Sequence, residues 1–329
     1  MRILVLGGTV FLSKAVAAES VRRGHEVLCA ARGTTGAVPD GAELVVVDRD
    51  RPGALEVLRG EHFDAVVDVA KMSVNWVREA LHVLGDSAPH WTFVSSCSVY
   101  QDHSKAGQSV ESPTLPPLED DPSAPFDANR YGSVKVASEH AVLDAVGDRA
   151  FVLRAGLITG PGDPSDRFGY WPARMSQGGQ VAVPDAPDQA ASHVDVRDLA
   201  AWIVDSAENR LVGTFDGTGP SEPLSFFLGE IAGAVAPQGT ELVRVPLDVL
   251  ERLRIAPWAG PRSMPLWLTD SHLAMMFRDA RPAMAAGLRV RSVGDTARDS
   301  LAYEYELGID RVRRAGLTAS EEYELLSAL

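Results

Sequence analysis

The sequence has fewer basic than acidic residues, and this imbalance limits its binding partners. Its 329 residues include 31 Lys and Arg against 45 Asp and Glu, a formal net charge of −14. Proteins bind nucleic-acid backbones largely through clustered cationic side chains. We therefore expect no nucleic-acid partner and a small-molecule substrate. An anionic cofactor is compatible with this charge, because backbone dipoles and a local cation can hold it.

Long apolar runs are also missing. No stretch approaches the roughly 20 consecutive apolar residues that span a bilayer, so we expect no membrane partner. Residues 2–6 have the pattern of a buried strand that leads into a glycine turn, which is not the pattern of a signal peptide. These features predict a cytoplasmic protein.

Cysteine is scarce, with only two residues in the chain. Cys29 lies in an apolar run and Cys97 follows two serines, so neither a disulfide framework nor metal-ligand spacing is present. We expect no metal site. For Cys97 we predict a small buried residue, with a reactive thiol as the alternative.

The first 24 residues have the order of a dinucleotide-binding unit. The apolar run 2–6 is followed by the turn G-G-T-V-F-L-S and then by a helical pattern. In such a turn, glycines let backbone N–H groups and a helix N-terminus approach a pyrophosphate. Val10 and Ser13 replace the second and third glycines, so a plain strand-to-helix turn is the alternative. The predicted cofactor contacts here are Gly7, Gly8, Thr9, Val10, Phe11 and Leu12.

The second apolar run, residues 26–31, ends at Arg32. At this place an acidic residue would bind the ribose 2′-hydroxyl of NAD, whereas an arginine favours the 2′-phosphate of NADP. The sequence therefore favours NADP as the cofactor, with NAD possible. A solvated loop charge is the alternative interpretation of Arg32.

Two further segments indicate a hydride-transfer site. Tyr131 and Lys135 are four residues apart in a helical pattern, which places them on one helix face. The ammonium group is then expected to lower the pKa of the phenol, so that Tyr131 can exchange a proton near neutral pH. Ser96 closes an apolar run and is predicted to hold a substrate oxygen beside that phenol.

In these motifs and their order, the chain resembles the extended branch of the short-chain dehydrogenase/reductase superfamily, the NAD-dependent epimerase/dehydratase family. The resemblance implies an α/β fold: a Rossmann-type doubly wound parallel sheet with a smaller C-terminal substrate-binding lobe. It also implies the catalytic residues Ser96, Tyr131 and Lys135, of which Tyr131 and Lys135 also contact the cofactor. The further cofactor contacts implied are Asp48, Arg49, Val69, Ala70, Lys71 and Leu157.

Two departures from the family pattern narrow the expected chemistry. Dehydratases carry an acidic pair where this chain has Cys97 and Ser98, so dehydration is disfavoured. Many members that act on nucleotide sugars have an asparagine where this chain has Leu157 and Ile158, which argues against such a substrate.

The chain is long enough for two lobes that share a cleft. We predict a dinucleotide-binding domain at 1–160, to which 192–218 return, and a substrate-binding lobe formed by 161–191 and 219–329. The Pro-, Ser- and Asp-rich stretch 101–129 is predicted to be a surface loop or lid, with a disordered spacer as the alternative. Asp195 or Asp198 is expected to cap a helix.

Substrate contacts are predicted from residues near the proposed site. Aromatic side chains after the nicotinamide-facing segment can stack on a cyclic ligand, although packing within the small lobe is the alternative. For His193 the alternative is a structural hydrogen bond. The predicted substrate contacts are Ser98, Tyr100, Phe168, Trp171 and His193.

These expectations predict an NADPH-dependent reductase of a small cyclic or sugar-like carbonyl. An NAD(P)-dependent sugar epimerase with a retained cofactor would use the same residues. The glycine turn is also similar to that of an atypical subgroup that includes chloroplast RNA-binding proteins, so an RNA-binding or non-catalytic scaffold is a third possibility. A homodimer through two long helices is usual for the family and is expected here.

Overall fold

Strands and helices alternate along the first half of the chain. The computed structural model describes residues 1–118 and 128–329. Within these residues the strands are β1 (Arg2–Leu6), β2 (Glu26–Ala31), β3 (Glu43–Val46), β4 (Ala65–Asp68), β5 (Trp91–Ser96), β6 (Ala150–Ala155), β7 (Ile158–Thr159), β8 (Gln180–Pro184), β9 (Ala190–Ala191), β10 (Val194–Asp195), β11 (Gly213–Gly217), β12 (Glu222–Pro223), β13 (Glu241–Val245), β14 (Ala256–Trp258) and β15 (Ser263–Pro265). The α-helices of the same residues are α1 (Phe11–Arg22), α2 (Val74–Leu84), α3 (Ala128–Val146), α4 (Tyr170–Met175), α5 (Val196–Asn209), α6 (Leu224–Val235), α7 (Leu247–Arg252), α8 (Arg281–Ala285), α9 (Val293–Leu307) and α10 (Ala319–Ser327).

Seven parallel strands form the central sheet, in the order β3-β2-β1-β4-β5-β6-β11. Helices α1 and α5 pack together over one face, and α2 and α3 pack over the other. Because both faces are covered, the inner strands are continuous apolar runs. Strand order reverses between β1 and β4, where sheets of this kind bind ligands beyond their carboxyl ends. The predicted Rossmann-type doubly wound fold is confirmed.

A separate hydrophobic cluster lies in the second half of the chain. It is built on α4, α6 and the parallel pair β8 and β13, with Trp171 and Phe227 fully buried in it. Strand β11 returns to the central sheet beside β6. Asp195 is the N-cap of α5 and accepts a hydrogen bond from the Arg197 N–H at 2.9 Å, as expected for one of the two candidate capping acids. The domain boundaries themselves stay a prediction.

The predicted loop between residues 101 and 129 is irregular as far as residue 118, apart from bridges between Tyr100 and Thr114 and between Gln108 and Arg278. Residues 119–127 lie outside the described residues, and α3 begins at Ala128. No helix within the described ranges is long and apolar enough to cross a membrane.

The turn between β1 and α1 depends on Gly8. Its φ is +99°, and a Cβ atom at this position would overlap with Sγ of Cys29. We expect Gly8→Ala to lower the free energy of unfolding by about 2 kcal/mol or more, because backbone strain and overpacking act together. Denaturant unfolding measures the change. Gly60→Ala is the matched control, since Gly60 has a φ of +82° but a Cβ atom there would have no neighbour within 4 Å. Equal losses in both variants would contradict the packing argument.

Candidate active site

One cavity at the carboxyl ends of the central strands brings the predicted catalytic residues together. Ser96 ends β5, while Tyr131 and Lys135 lie in the first turns of α3. All three line the same cavity, which has a volume of about 520 Å³. Residues far apart in the sequence therefore converge, because β5 and the start of α3 meet at this edge of the sheet.

The phenol of Tyr131 lies in a mostly buried environment. Burial raises the pKa of Tyr131, while a hydrogen bond with Ser96 and the positive charge of Arg167 act in the opposite direction. Ser96 Oγ also accepts a hydrogen bond from the Ser98 N–H at 3.1 Å, which fixes its position. This arrangement suits a hydroxyl that orients an oxygen atom next to a proton-exchanging phenol.

Lys135 lies on the same helix face as Tyr131, as its spacing predicts, and its ammonium group also bonds two backbone carbonyls. Its Nζ donates to the carbonyl oxygens of Ala70 at 2.5 Å and Val94 at 2.7 Å, and it lies 5.9 Å from the centroid of the Tyr131 ring. Burial lowers the pKa of Lys135 to about 8. The positive charge of Arg167 also acts to lower the pKa of the Tyr131 phenol, and the effect of Lys135 on that phenol stays a prediction. The four-residue spacing places Tyr131 and Lys135 on one face of α3. The long lysine side chain then extends to the carbonyls of Ala70 and Val94, near the ends of β4 and β5.

The start of α1 fits the pyrophosphate of a dinucleotide. The N-cap residue Val10 makes no side-chain capping bond, so backbone N–H groups of the first turn are available to an anion. Val10, Phe11 and Leu12 line the cavity. Ser13, in the place of the third glycine, is buried and donates from Oγ to the carbonyl of Val10 at 2.8 Å. The serine thus supports the turn from within.

The predicted adenine end of the cofactor site is divided between exposed and buried groups. The Arg32 side chain is 51% exposed and lies 3.7 Å from Asp50. Asp48 is partly exposed and accepts a hydrogen bond from the backbone of Asp50. Arg49, by contrast, is buried and donates to Asp68 at 2.9 Å. The guanidinium of Arg49 therefore forms a structural ion pair with Asp68 in the interior of the protein.

The remaining predicted cofactor contacts differ in their relation to the cavity. Val69, Lys71 and Leu157 line it. Ala70 contributes through its carbonyl oxygen, which accepts from Lys135. The predicted contacts outside the cavity lining are Gly7, Gly8, Thr9, Arg32, Asp48, Arg49 and Ala70.

Of the predicted substrate contacts, only Ser98 lines the cavity. Tyr100 is fully buried and its hydroxyl donates to Asp216 at 2.5 Å. Phe168 stacks on His193 with the ring centroids 6.0 Å apart, and Trp171 is buried in the cluster of the second lobe. Phe168 and Trp171 thus occupy the packing positions that were their alternative, and a substrate role for any of the four side chains stays a prediction.

His193 and Cys97 also have structural environments. His193 Nδ1 hydrogen-bonds Oγ1 of Thr159 at 2.9 Å, and burial lowers the pKa of His193 to about 4. The thiol of Cys97 donates to the carbonyl of Arg154 at 3.3 Å, and burial raises the pKa of Cys97 far above its ordinary range. The thiol is thus kept protonated, as a small buried residue would be.

Sequence reasoning missed several residues that line the cavity. Arg167 lies over the Trp258 ring, with its guanidinium carbon 4.7 Å from the centroid, and its Nε donates to Ser165 at 3.1 Å. It stands directly beside Phe168, so the aromatic cluster could have drawn attention to it. Arg278 comes from the C-terminal part of the chain, and no motif signals it. The other missed lining residues include Asp163, Pro164, Ser192, Thr218, Met275 and Met276.

Sequence comparison then decides the family. Residues 3–213, more than half of the chain, match the NAD dependent epimerase/dehydratase family. The chain belongs to this family. The resemblance recognised in the sequence is confirmed, and with it the expectation of an NAD(P)-linked enzyme at the level of the family. No curated protein sequence matches the chain.

Solved structures of other epimerase/dehydratase-type proteins share the fold. WbmH from Bordetella bronchiseptica, in complex with NAD+, superimposes with a TM-score of 0.68 at 14% identity, covering 93% of this chain and 99% of that one. WbmG from the same organism, with NAD and UDP, gives 0.67 at 18% identity, covering 97% and 99%. UDP-glucose 4-epimerase from Thermus thermophilus, with NAD, gives 0.64 at 20% identity, covering 92% and 98%. Similarity at this level of identity establishes the fold.

Proposed function

We propose that this protein is an NAD(P)-dependent epimerase that oxidises and re-reduces one carbinol carbon with a retained cofactor. The observation that carries the proposal is the convergence of Ser96, Tyr131 and Lys135 on the cavity that begins at the N-terminus of α1. Family membership and the epimerases among the similar structures support this function over net reduction, which the sequence alone had favoured.

In this reaction the residues of the cavity bind the cofactor, orient the substrate oxygen and transfer its proton. NAD(P), when bound, accepts and returns a hydride at its nicotinamide ring. Tyr131 takes the proton of the substrate hydroxyl as the carbon is oxidised and gives it back on reduction. Ser96 hydrogen-bonds the same oxygen, and Lys135 holds the ribose of the cofactor. The uncapped first turn of α1 binds the pyrophosphate.

The test compares product formation with the redox state of the cofactor. Purified protein is incubated with NAD or NADP and candidate sugar derivatives, and products are separated while the absorbance of reduced nicotinamide is followed. An epimerised product without net change in cofactor supports the proposal. Stoichiometric loss of NADPH with a ketone substrate would instead identify a reductase.

Net reduction remains the second candidate because of Arg32. This arginine ends β2 where the family pattern places an acid for NAD, and its half-exposed side chain is accessible to a 2′-phosphate. Enzymes that catalyse a net reduction often use NADP. A measured preference of this protein for NADP would therefore favour net reduction over epimerisation.

Arg32→Ala tests the preference for NADP. We expect the dissociation constant of NADP to rise about ten-fold, because a charge-assisted contact to the 2′-phosphate is lost, and that of NAD to change little. Calorimetry with both cofactors measures the difference. Arg51→Ala is a suitable control, since Arg51 is 83% exposed on a neighbouring loop. An equal rise in the dissociation constants of NADP and NAD would show that Arg32 does not bind the 2′-phosphate.

A non-catalytic scaffold is distinguished by cofactor binding itself. If calorimetry detects no binding of NAD or NADP to the purified protein, hydride transfer is excluded. The predicted homodimer bears on neither outcome and stays a prediction.

A further inference from the structure

The side chain of Arg278 is a buried cation without a hydrogen-bond partner among the described residues. It is 5% exposed, and all of its guanidinium nitrogens, Nε, Nη1 and Nη2, lack a partner among the described residues. The guanidinium lies over the Tyr100 ring, with its central carbon 3.6 Å from the ring centroid. Arg278 also lines the cavity that holds Ser96 and Tyr131.

Burial raises the pKa of Asp216 and the charge of Arg278 acts to lower it, but no carboxylate among the described residues hydrogen-bonds the guanidinium. Asp216 accepts from the hydroxyl of Tyr100 at 2.5 Å, and Glu139 accepts from Arg154 at 2.8 Å. A guanidinium removed from water without acceptors is unfavourable, because its desolvation is not offset by hydrogen bonds. An acceptor from outside the described chain would resolve this, and the cavity is where such a group can enter.

The charge of the cavity lining points to the same kind of ligand. The lining includes four cationic residues, whereas Asp163 is the single carboxylate among the described lining residues. This excess of positive charge contrasts with the formal net charge of −14 of the whole chain. Two of the cations lie beside the predicted cofactor site: Lys71 comes shortly after β4, and Lys135 in α3 bonds a carbonyl of β5. The other two, Arg167 and Arg278, lie outside the Rossmann motifs.

We propose that the substrate carries an anionic oxygen group, a carboxylate or a phosphate, and that Arg278 binds it with Arg167 as the second cation. The planar guanidinium matches either group with paired N–H donors. This inference rests on the proposed function, since it names the substrate class of the same cavity.

Access to Arg278 depends on its neighbours. Met275 and Met276, shortly before it in the chain, also line the cavity. Unbranched thioether side chains change rotamer readily, and we expect these two to move aside for an entering anion. The stacked Tyr100 ring, which is fully buried, stays as a rigid support for the guanidinium.

The first experiment measures anion binding to the protein saturated with NAD, so that the pyrophosphate site is already filled. Calorimetric titrations use malonate, inorganic phosphate and UDP as separate probes, and so distinguish a carboxylate, a simple phosphate and a nucleotide. We expect at least one probe to bind, and Arg278→Met to weaken it at least about ten-fold. Arg278→Lys keeps the positive charge but loses the paired N–H donors of the guanidinium. We expect its affinity for the probe to lie between those of wild type and Arg278→Met.

Arg281→Met is the matched control. Arg281 lies three positions further along the chain, but its side chain is 89% exposed and pairs with Asp279. We expect wild-type affinity for the bound probe in this variant. Binding of no probe by the NAD-loaded protein, or equal affinity in wild type and Arg278→Met, would overturn the assignment.

Thermal unfolding of the same variants separates binding from a structural role. Replacing an unpartnered buried cation with an apolar side chain of similar size is neutral or stabilising. We therefore expect the melting temperature of Arg278→Met to equal or exceed that of wild type. A clear fall in melting temperature with unchanged anion affinity would make Arg278 a packing residue. Failure of the protein to bind NAD would count against the proposed function itself, whereas NAD binding without anion binding removes only this inference.

Discussion

Tyr131→Phe is expected to lower kcat/KM by about 10²- to 10⁴-fold, the range of a lost general acid–base group. The phenyl ring keeps the shape of the cavity wall, so the dissociation constant of NAD(P) should change by less than about two-fold. The loss follows because Tyr131 is the phenol that lines the cavity beside Ser96. Steady-state kinetics and calorimetry on the same preparation measure both quantities.

Tyr305→Phe serves as the control for this change. Tyr305 is 58% exposed in α9 and does not line the cavity. Its variant should keep both activity and cofactor affinity. If Tyr131→Phe retained wild-type turnover, or lost activity and NAD(P) affinity in parallel, the role of Tyr131 in proton transfer would have to be given up.

Glu139→Gln is expected to lower the free energy of unfolding by about 3 kcal/mol or more, because it leaves a buried guanidinium without its counter-charge. Glu139 is 3% exposed and pairs with Arg154 at 2.8 Å. It also accepts a hydrogen bond from Ser95 at 2.5 Å, next to the predicted catalytic serine. Urea unfolding of wild type and variant measures the loss.

Glu56→Gln is the matched control for the buried pair. Glu56 and Arg59 form an ion pair in which both side chains are about half exposed, at 49% and 47%. Solvent screens such a pair, so this substitution should leave the urea midpoint nearly unchanged. A similarly small change in Glu139→Gln would mean that water or a rearranged partner compensates Arg154. We also expect turnover to fall in Glu139→Gln, since Ser95 precedes Ser96 in β5.

Much of the fold could be predicted from local patterns. The apolar runs at β1 and β2, the glycine turn and the helical spacing of Tyr131 and Lys135 depend on neighbours within a few residues. Such signals survive without knowledge of the rest of the chain. Asp195 as a helix cap is of the same kind, because capping is decided by the residue and the turn that follows it.

The fate of the aromatic side chains could not be predicted in this way. Phe168 and Trp171 follow the nicotinamide-facing segment, and their sequence position allowed either ligand contact or packing. The structure buries both in the hydrophobic cluster of the second half of the chain, where they meet α6 and β15. Whether an aromatic ring faces a cavity depends on which distant elements pack against it, and no local spacing encodes that.

By itself the sequence determined the strand and helix order, the family, and which serine, tyrosine and lysine are candidates for the chemistry. These features follow from short-range periodicity and motif spacing. Only the tertiary structure decided that Lys135 bonds the carbonyls of Ala70 and Val94, and that Arg167 lines the cavity of the tyrosine. It also decided that Arg278, from the far end of the chain, lines the same cavity. The partners of a long side chain are the groups that lie near it in the folded structure. These groups are many residues away in the sequence, so local patterns do not predict them.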